Sequence, residues 1–189
     1  MAATEDIINA IEILKKSGVI LYPTDTIWGL GCDMLSEVGV DKIYRIKNRN
    51  RDSPLILLVS SIEMLKIYVP SINPRLENLL IYHEKPLTVI YQNVIGIPDF
   101  LKSKEGTIGI RVTNEEYSKS LITAFGRAIT STSANVSGYP FPKCFSEVSS
   151  DILQQVDYIS LFGRESQEER EPSVIVQLDE DGGLDFIRR

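Results

Sequence analysis

Apolar and polar residues alternate along the chain with two periods, one typical of helices and the other of strands. Apolar residues at helical spacing run from Ile7 to Leu14 and stop at Gly18, which predicts a first helix with Thr4 as its N-cap. Short apolar runs bounded by proline, such as Leu55–Ser60, are too short for helices and indicate buried strands. The chain therefore contains both kinds of element.

The same criteria predict further elements along the whole chain. Helices are expected at 36–47, 62–68, 74–82, 115–125 and 145–155. Strands are expected at 19–22, 55–60, 87–94, 107–112, 127–133, 157–160, 173–178 and 184–188. Strands and helices alternate without a strict order, so the predicted fold class is α+β with α/β-like character: a mixed sheet with helices on both faces. No repeat or linker divides residues 1–189, and we expect one domain.

Composition places the chain among soluble proteins of a reducing compartment. The net charge is −6, from 20 basic and 26 acidic residues, so the surface as a whole does not favour nucleic acid. Cys32 and Cys144 have no disulfide or metal spacing. The N-terminus lacks a signal-peptide pattern, and no apolar run is long enough to span a membrane. A cytoplasmic location is expected, and the charged segment Gly163–Pro172 is interpreted as a solvated turn in preference to a lid.

Several common catalytic sites are excluded by the residues present. His83 is the only histidine, so histidine metal clusters and Ser-His-Asp triads are not available. The chain has no CxxC pair and neither of the standard glycine-rich phosphate loops. If phosphates bind, side chains and irregular loops must hold them.

The segment Lys42–Arg51 carries five cations in ten residues. Cations are common at the C-terminus of a helix, where they favour its dipole, and this explains most of them. Lys47 differs because helical spacing places it on the same face as the apolar Val40 and Tyr44. A lysine on a buried face either extends to solvent or lines a cleft that holds an anion, and Arg49 could reach the same anion.

Other polar positions are consistent with a ligand site, although each is also typical of ordinary structure. Tyr22–Asp33 contains two threonines that flank an aspartate, followed by two glycines, and Ile129–Gly138 contains five hydroxyl residues and one amide. Arg111 alternates with core residues on a predicted strand and needs a carboxylate partner, from the protein or from a ligand. Ser173 and Arg188 lie at strand ends, where open sheets commonly bind ligands.

Taken together, these segments resemble the YrdC-like family of threonylcarbamoyl-AMP synthases in its short bacterial form. The resemblance covers nearly the whole chain and runs through GVILYPTDTIWGLGCD, KNR, SPLILLV, PLTVI, TIGIRV, TSTSANVSG, PSVIV and FIRR. Its most specific features are the KxR pair, Lys47 with Arg49, and the SxN pair, Ser133 with Asn135. The resemblance implies a three-layer twisted mixed sheet with a concave cleft.

The implied reaction consumes L-threonine, bicarbonate or carbon dioxide, and ATP. N-carboxy-threonine forms first, and its carboxylate attacks the α-phosphate of ATP, releasing pyrophosphate and leaving threonylcarbamoyl-AMP. A downstream tRNA threonylcarbamoyl transferase complex then modifies tRNA, and tRNA or other RNA is a further candidate partner, with no membrane involved. Mg²⁺ is expected to arrive with ATP, and no protein-bound structural metal is expected.

The resemblance also implies roles for individual residues. Lys47 and Arg49 would be catalytic. The residues implied to bind ATP are Lys47, Arg49, Ser53, Thr107, Ser133, Asn135 and Arg188. Those implied to bind threonine are Thr26, Arg111, Ser131 and Ser173.

Two alternatives within the same family remain open. One is a non-catalytic YrdC-like module that binds RNA, and the other is a carbamoyl-phosphate-using domain like that of hydrogenase maturation proteins. The retained KxR and SxN pairs favour the synthase, and this chain lacks the acylphosphatase and zinc-finger regions that accompany the second alternative. The sequence departs from the family pattern at Asn48, where a glycine is usual; asparagine also tolerates left-handed backbone.

Overall fold

A computed structural model describes residues 2–179 and 181–188, which form one mixed sheet flanked by helices. The strands are β1 Ile20–Tyr22, β2 Gly29–Gly31, β3 Ile56–Val59, β4 Leu87–Tyr91, β5 Ile108–Val112, β6 Ile129–Ser133, β7 Tyr158–Ile159, β8 Val174–Leu178 and β9 Leu184–Arg188. The α-helices are α1 Ala2–Lys15, α2 Glu37–Ile46, α3 Ile62–Tyr68, α4 Pro74–Tyr82, α5 Glu116–Phe125 and α6 Ser150–Leu153. Short 3₁₀ turns lie at Asp99–Leu101 and Phe145–Glu147. None of the helices in these ranges is long and apolar enough to cross a membrane.

The sheet has the strand order β7-β1-β2-β6-β3-β5-β4-β8-β9 and contains both kinds of pairing. Three pairs are parallel, β1 with β7, β3 with β5 and β4 with β8, whereas the others are antiparallel. Helices α1 and α5 pack on one face and bury residues such as Leu14 and Leu121. Helices α2, α3 and α4 supply the apolar core on the other face, including Ile43 and Leu65. The predicted mixed sheet with helices on both faces is confirmed.

Most predicted elements are present because their local signals agree with the packing. Ser36 caps α2, accepting a hydrogen bond from the Gly39 N–H at 3.0 Å. Helices α3 and α4 have the predicted bounds. Thr4 was wrongly expected to cap α1, since that helix begins at Ala2 and Thr4 lies within its first turn.

The helix predicted at 145–155 is also wrong. Val148 has extended backbone and separates the 3₁₀ turn from α6, which is a single short turn capped by Ser149. The apolar spacing in this region arises from Val148 and Ile152, which both pack into the core from two separate turns.

Strand β2 was not predicted, because a three-residue Gly-Leu-Gly segment has no strand pattern. It nevertheless pairs with β1 on one side and β6 on the other. A Cβ atom at Gly31 would lie 2.6 Å from the Thr130 carbonyl oxygen and 2.9 Å from a ring carbon of Tyr22. A side chain at Gly31 would therefore separate β2 from its neighbours, which explains the glycine.

Asp6, on α1, joins this helix to the segment after β7. The residue is 1% exposed, and its carboxylate accepts hydrogen bonds from the hydroxyls of Tyr158 and Ser160 and from the backbone N–H groups of Leu161 and Phe162. Burial alone would raise the pKa of Asp6, but these hydrogen bonds outweigh it and lower the pKa below its ordinary value of 3.8.

We expect Asp6→Asn to lower the free energy of unfolding at pH 7 by about 2–3 kcal/mol, because the amide turns donors toward groups that are already donors. The folded-state pKa lies below the unfolded value, so the contribution of Asp6 is complete above pH 3.8 and is lost as the pH falls through the folded pKa. Urea unfolding of wild type and variant at pH 7 and pH 3 measures both effects.

The exposed neighbour Glu5 provides the control, since Glu5→Gln changes the charge of the same helix turn without touching the cluster. A wild-type-like stability of Asp6→Asn at pH 7, or an equal loss in Glu5→Gln, would contradict the role of the buried carboxylate.

Candidate functional site

Helix α2 ends in a Schellman turn that determines where the two cations of the KxR pair point. Asn48 has φ +46°, the left-handed conformation that ends a helix, and its N–H bonds to the Arg45 carbonyl at 3.0 Å. The Arg49 N–H bonds to the Tyr44 carbonyl at 3.0 Å, completing the motif. Asparagine can stand at the glycine position of this pattern because it tolerates that backbone conformation. Lys47 and Arg49 flank the turn, and both side chains reach β6 or the turn that follows it.

Lys47 is buried and contacts the turn that follows β6. Only 2% of the residue is exposed. Its Nζ donates to the Asn135 carbonyl oxygen at 2.7 Å and to the Ser133 carbonyl oxygen, and it lies 3.3 Å from Asn135 Oδ1. In return the Ser137 N–H donates to the Lys47 carbonyl at 2.8 Å. The KxR and SxN pairs are therefore in direct contact.

The environment of Lys47 disfavours its charge. Burial, with a smaller contribution from the positive charge of Arg49, lowers the pKa of Lys47 to about 7. The carbonyl oxygens of Ser133 and Asn135 compensate part of this loss of solvation by accepting hydrogen bonds. Lys47 thus has two roles. It is a cation near the KxR and SxN pairs, and its hydrogen bonds fix the position of the Ser133–Asn135 turn.

Arg49 is half-buried and turns toward β6. Its Nη1 donates to Thr132 Oγ1 at 3.0 Å, and its Nη2 lies 3.4 Å from the Pro54 carbonyl oxygen. Burial lowers the pKa of Arg49, although an arginine remains charged at neutral pH.

The side chain of Asn135 is fixed by the turn itself, because its Nδ2 donates to the Tyr139 carbonyl oxygen at 2.6 Å.

A cavity of about 370 Å³ opens beside these residues at the centre of the sheet. Apolar walls come from residues such as Ile56, Ile175 and Phe141, and within the described ranges no carboxylate lines it. The sequence-predicted site residues that line this cavity are Thr26, Arg49, Arg111, Ser131, Ser133, Ser173 and Arg188. A cavity of this size, with three arginines and several hydroxyls, is suited to a small anionic ligand.

Arg111 enters the cavity from β5 and is 3% exposed. Its Nε lies 3.3 Å from Asp25 Oδ1, which is an ion pair without hydrogen-bond geometry. Sequence reasoning noticed Asp25 in the Tyr22–Asp33 stretch but gave it no role. In the sequence, Asp25 is marked only by its place between Thr24 and Thr26. The structure shows that both threonines are buried.

Thr26 presents a hydrogen-bond acceptor to the cavity. The Thr24 hydroxyl donates to the Ile27 carbonyl at 2.9 Å and accepts from the Thr26 N–H at 3.1 Å. The 2.9 Å contact between the two hydroxyls therefore uses the proton of Thr26. Since that proton is committed, Thr26 Oγ offers lone pairs to a ligand, which suits a hydroxyl or ammonium donor.

Ser173 and Arg188 close the side of the cavity near β8 and β9. Arg188 donates through Nε to the Ser173 carbonyl at 2.8 Å, and the Ser173 hydroxyl contacts the Thr88 hydroxyl at 2.8 Å. Burial and the positive charge of Arg111 lower the pKa of Arg188. Two arginines therefore share one side of the cavity.

Four of the predicted nucleotide residues are outside the cavity lining: Lys47 and Asn135, which bond to each other beside it, and Ser53 and Thr107. Ser53 is exposed, and its carbonyl accepts from the Tyr44 hydroxyl at 3.2 Å. The Thr107 hydroxyl pairs with that of Ser103 at 2.9 Å, before β5. Sequence reasoning missed Thr132 and Phe141, since nothing distinguishes Thr132 within its hydroxyl-rich strand and Phe141 is marked only by its flanking prolines.

The charged segment 163–172 contacts the threonine-rich loop after β1. Arg170 donates to the Thr24 carbonyl oxygen, and Lys143 forms a 2.7 Å ion pair with Glu169. Although several of its side chains are solvated, as expected, the segment is anchored at these points. Within the part of the chain that the structure describes, no group of three or more His, Cys, Asp or Glu side chains comes together to hold a metal ion.

Comparison with known proteins identifies the class. A family model named for Sua5, YciO and YrdC, and described as "Telomere recombination", matches residues 12–189. A threonylcarbamoyl-AMP synthase of Vibrio cholerae serotype O1 is 32% identical over 159 residues, covering 82% of this chain and 85% of that protein.

Two solved structures have the same fold. The crystal structure of E. coli YciO matches with a TM-score of 0.82 and 27% identity over 97% of this chain and 88% of that one. P. abyssi Sua5 complexed with L-threonine matches with a TM-score of 0.85 and 25% identity, covering 100% of this chain but 54% of that longer one. The chain belongs to the Sua5/YciO/YrdC family.

The buried amine predicts a pH dependence of stability. The unfolded chain keeps the lysine proton up to about pH 10.5, whereas the folded protein releases it near pH 7. Between these values the unfolded state holds more protons, so wild type should gain stability over Lys47→Met as the pH rises, by up to about 1.4 kcal/mol per pH unit. Urea unfolding of both proteins at pH 7 and pH 9 measures the difference.

Lys16 is the matched control, because its side chain is 73% exposed and Lys16→Met should show no such gain. A free energy of unfolding of wild type that stays constant or falls relative to that of Lys47→Met from pH 7 to pH 9 would contradict a desolvated amine.

Proposed function

We propose that this protein is an L-threonylcarbamoyladenylate synthase. It forms threonylcarbamoyl-AMP and pyrophosphate from L-threonine, bicarbonate or carbon dioxide, and ATP, for the threonylcarbamoyladenosine modification of tRNA. The observation that carries the proposal is the contact of the KxR and SxN pairs beside a cavity that also contains Arg111. The family membership and the synthase relatives support the same reaction.

The proposed chemistry needs positioning and charge neutralisation more than acid–base catalysis. The amine of threonine loses a proton and bonds to carbon dioxide, and a carboxylate oxygen of the product bonds to the α-phosphorus of ATP. The bond from that phosphorus to the oxygen bridging the β-phosphate breaks, and pyrophosphate leaves. In this proposal Lys47 and Arg49 neutralise the phosphate charge, together with Mg²⁺ carried by ATP.

The two substrates are assigned to different sides of the cavity. In this proposal Arg111 pairs with the threonine carboxylate, and Thr26, Ser131 and Ser173 contribute hydroxyls. The residues proposed for ATP are Lys47, Arg49, Ser53, Thr107, Ser133, Asn135 and Arg188. Ser53 and Thr107 are the weakest members of this set, because both lie outside the cavity lining and bond to Tyr44 and Ser103 respectively, away from the KxR and SxN pairs.

The proposal includes a setting for the reaction. Residues 1–189 act as one cytoplasmic domain, and the product passes to a tRNA threonylcarbamoyl transferase complex. Incubation of purified protein with ATP, bicarbonate and L-threonine should yield threonylcarbamoyl-AMP by mass spectrometry, and omission of threonine should abolish it. A protein that shifts duplex RNA in electrophoresis but forms no threonylcarbamoyl-AMP would instead be the RNA-binding module.

We expect Arg49→Ala to reduce ATP–pyrophosphate exchange about a hundredfold, because a cation that neutralises the transferring phosphate is lost. Lys47→Ala should abolish exchange, since the Ser133–Asn135 turn also loses the hydrogen bonds that the lysine donates to its carbonyl oxygens. Radiolabelled exchange measures both, and circular dichroism checks the fold.

Arg45 supplies the matched control, being an exposed cation on the same helix that does not line the cavity. Arg45→Ala should retain exchange. Normal exchange in both Lys47→Ala and Arg49→Ala would end the catalytic assignment.

A further inference from the structure

Asp25 and Arg111 form a buried ion pair. Asp25 Oδ1 and Arg111 Nε are 3.3 Å apart, and the two side chains are 9% and 4% exposed. Both atoms are inaccessible to solvent, and neither makes a regular hydrogen bond within the described residues. The other carboxylate oxygen, Oδ2, lies 3.4 Å from the Asn114 N–H. This edge of the guanidinium and this carboxylate oxygen face each other and not a ligand.

The two members of the pair face different spaces. Arg111 lines the 370 Å³ cavity, whereas Asp25 does not. Asp25 instead borders a separate depression, together with residues such as Arg170 and Glu115. The terminal nitrogens of Arg111 donate no hydrogen bond to another residue in the described ranges. An arginine held at one edge and unsatisfied at the other is arranged to receive an anion with its fork.

Electrostatics gives Asp25 a second effect on the same arginine. Arg188 is near enough for the two guanidinium charges to disfavour each other. Because no carboxylate lines the cavity within the described residues, Asp25 is the contact that offsets this repulsion and the desolvation of Arg111. Without it, Arg111 would be driven away from Arg188 or toward water.

We propose that Asp25 is a positioning residue for the recognition of a substrate carboxylate: it holds the Nε edge of Arg111 so that the terminal nitrogens face the cavity. The inference rests on the proposed function, in which that carboxylate belongs to L-threonine. Asp25 itself does not touch the substrate.

The test compares wild type with Asp25→Asn, which keeps the shape and removes the charge. The KM for L-threonine should rise at least about tenfold, because truncating one partner of a buried charge pair frees the other to move. The KM for ATP should stay within about twofold, since Arg49 and the Ser133–Asn135 turn are untouched. A merely structural role for Asp25 would move both constants together.

A substrate analogue separates carboxylate recognition from other effects. Calorimetry with L-threoninamide, in which an uncharged amide replaces the carboxylate, should show weak binding to wild type and a change of less than about twofold in Asp25→Asn, because the contact under test is absent. Asp33→Asn is the matched control, because Asp33 belongs to the same Tyr22–Asp33 stretch and pairs with an arginine, Arg127, at 2.8 Å, but does not line the cavity. Asp33→Asn should leave the KM for L-threonine and the KM for ATP unchanged.

Several results would overturn the inference. These are a wild-type threonine KM in Asp25→Asn, equal losses for threonine and threoninamide, or the same shift in Asp33→Asn. If Asp25→Asn does not fold, Asp25→Glu replaces it: the displaced charge should raise the threonine KM but not the ATP KM, and equal shifts in both would refute the role. A wild-type protein that binds neither threonine nor ATP would overturn the proposed function itself, whereas wild-type activity with an unaffected Asp25→Asn overturns only this inference.

Discussion

The hydrogen bonds from the Lys47 ammonium to the carbonyl oxygens of Ser133 and Asn135 hold the site together. They join the end of α2 to the turn after β6, two segments 86 residues apart in sequence. A lysine buried in this way is costly, which the lowering of its pKa to about 7 expresses. The packing of the helix and sheet core offsets this unfavourable free energy. As a result, the Ser133–Asn135 turn is held in one position beside the cavity.

The rest of the site follows from this arrangement. The Schellman turn at Asn48 brings both Lys47 and Arg49 to β6 or to the turn after it. Lys47 is buried and holds that turn, whereas Arg49 lines the cavity and can contact a ligand. Across the cavity, Arg111 and Arg188 add positive charge, and the acidic partner of Arg111 stands outside the lining. An acidic protein of net charge −6 thereby maintains a locally positive cavity.

Much of this could be predicted from the sequence, because local signals and tertiary packing agree. Helical spacing alone places Lys47 on a buried face, and α2 and α5 begin and end within one residue of the predicted bounds. Strand β2 could not be predicted, since Gly31 is set by the approach of Thr130 and Tyr22 from other strands. The Asp25–Arg111 pair joins residues 86 positions apart, and no local pattern records such a contact.

The central claim is that one cavity holds the phosphates at Arg49 and the threonine carboxylate at Arg111 while Lys47 keeps its two carbonyls. The most direct measurement is a crystal structure with L-threonine and an ATP analogue whose α and β phosphorus atoms are bridged by methylene. The account predicts both ligands in this cavity, with the α-phosphate beside Arg49 and the amino-acid carboxylate on the Arg111 fork. Ligands bound elsewhere, or a Lys47 released into solvent while the turn keeps its shape, would contradict it.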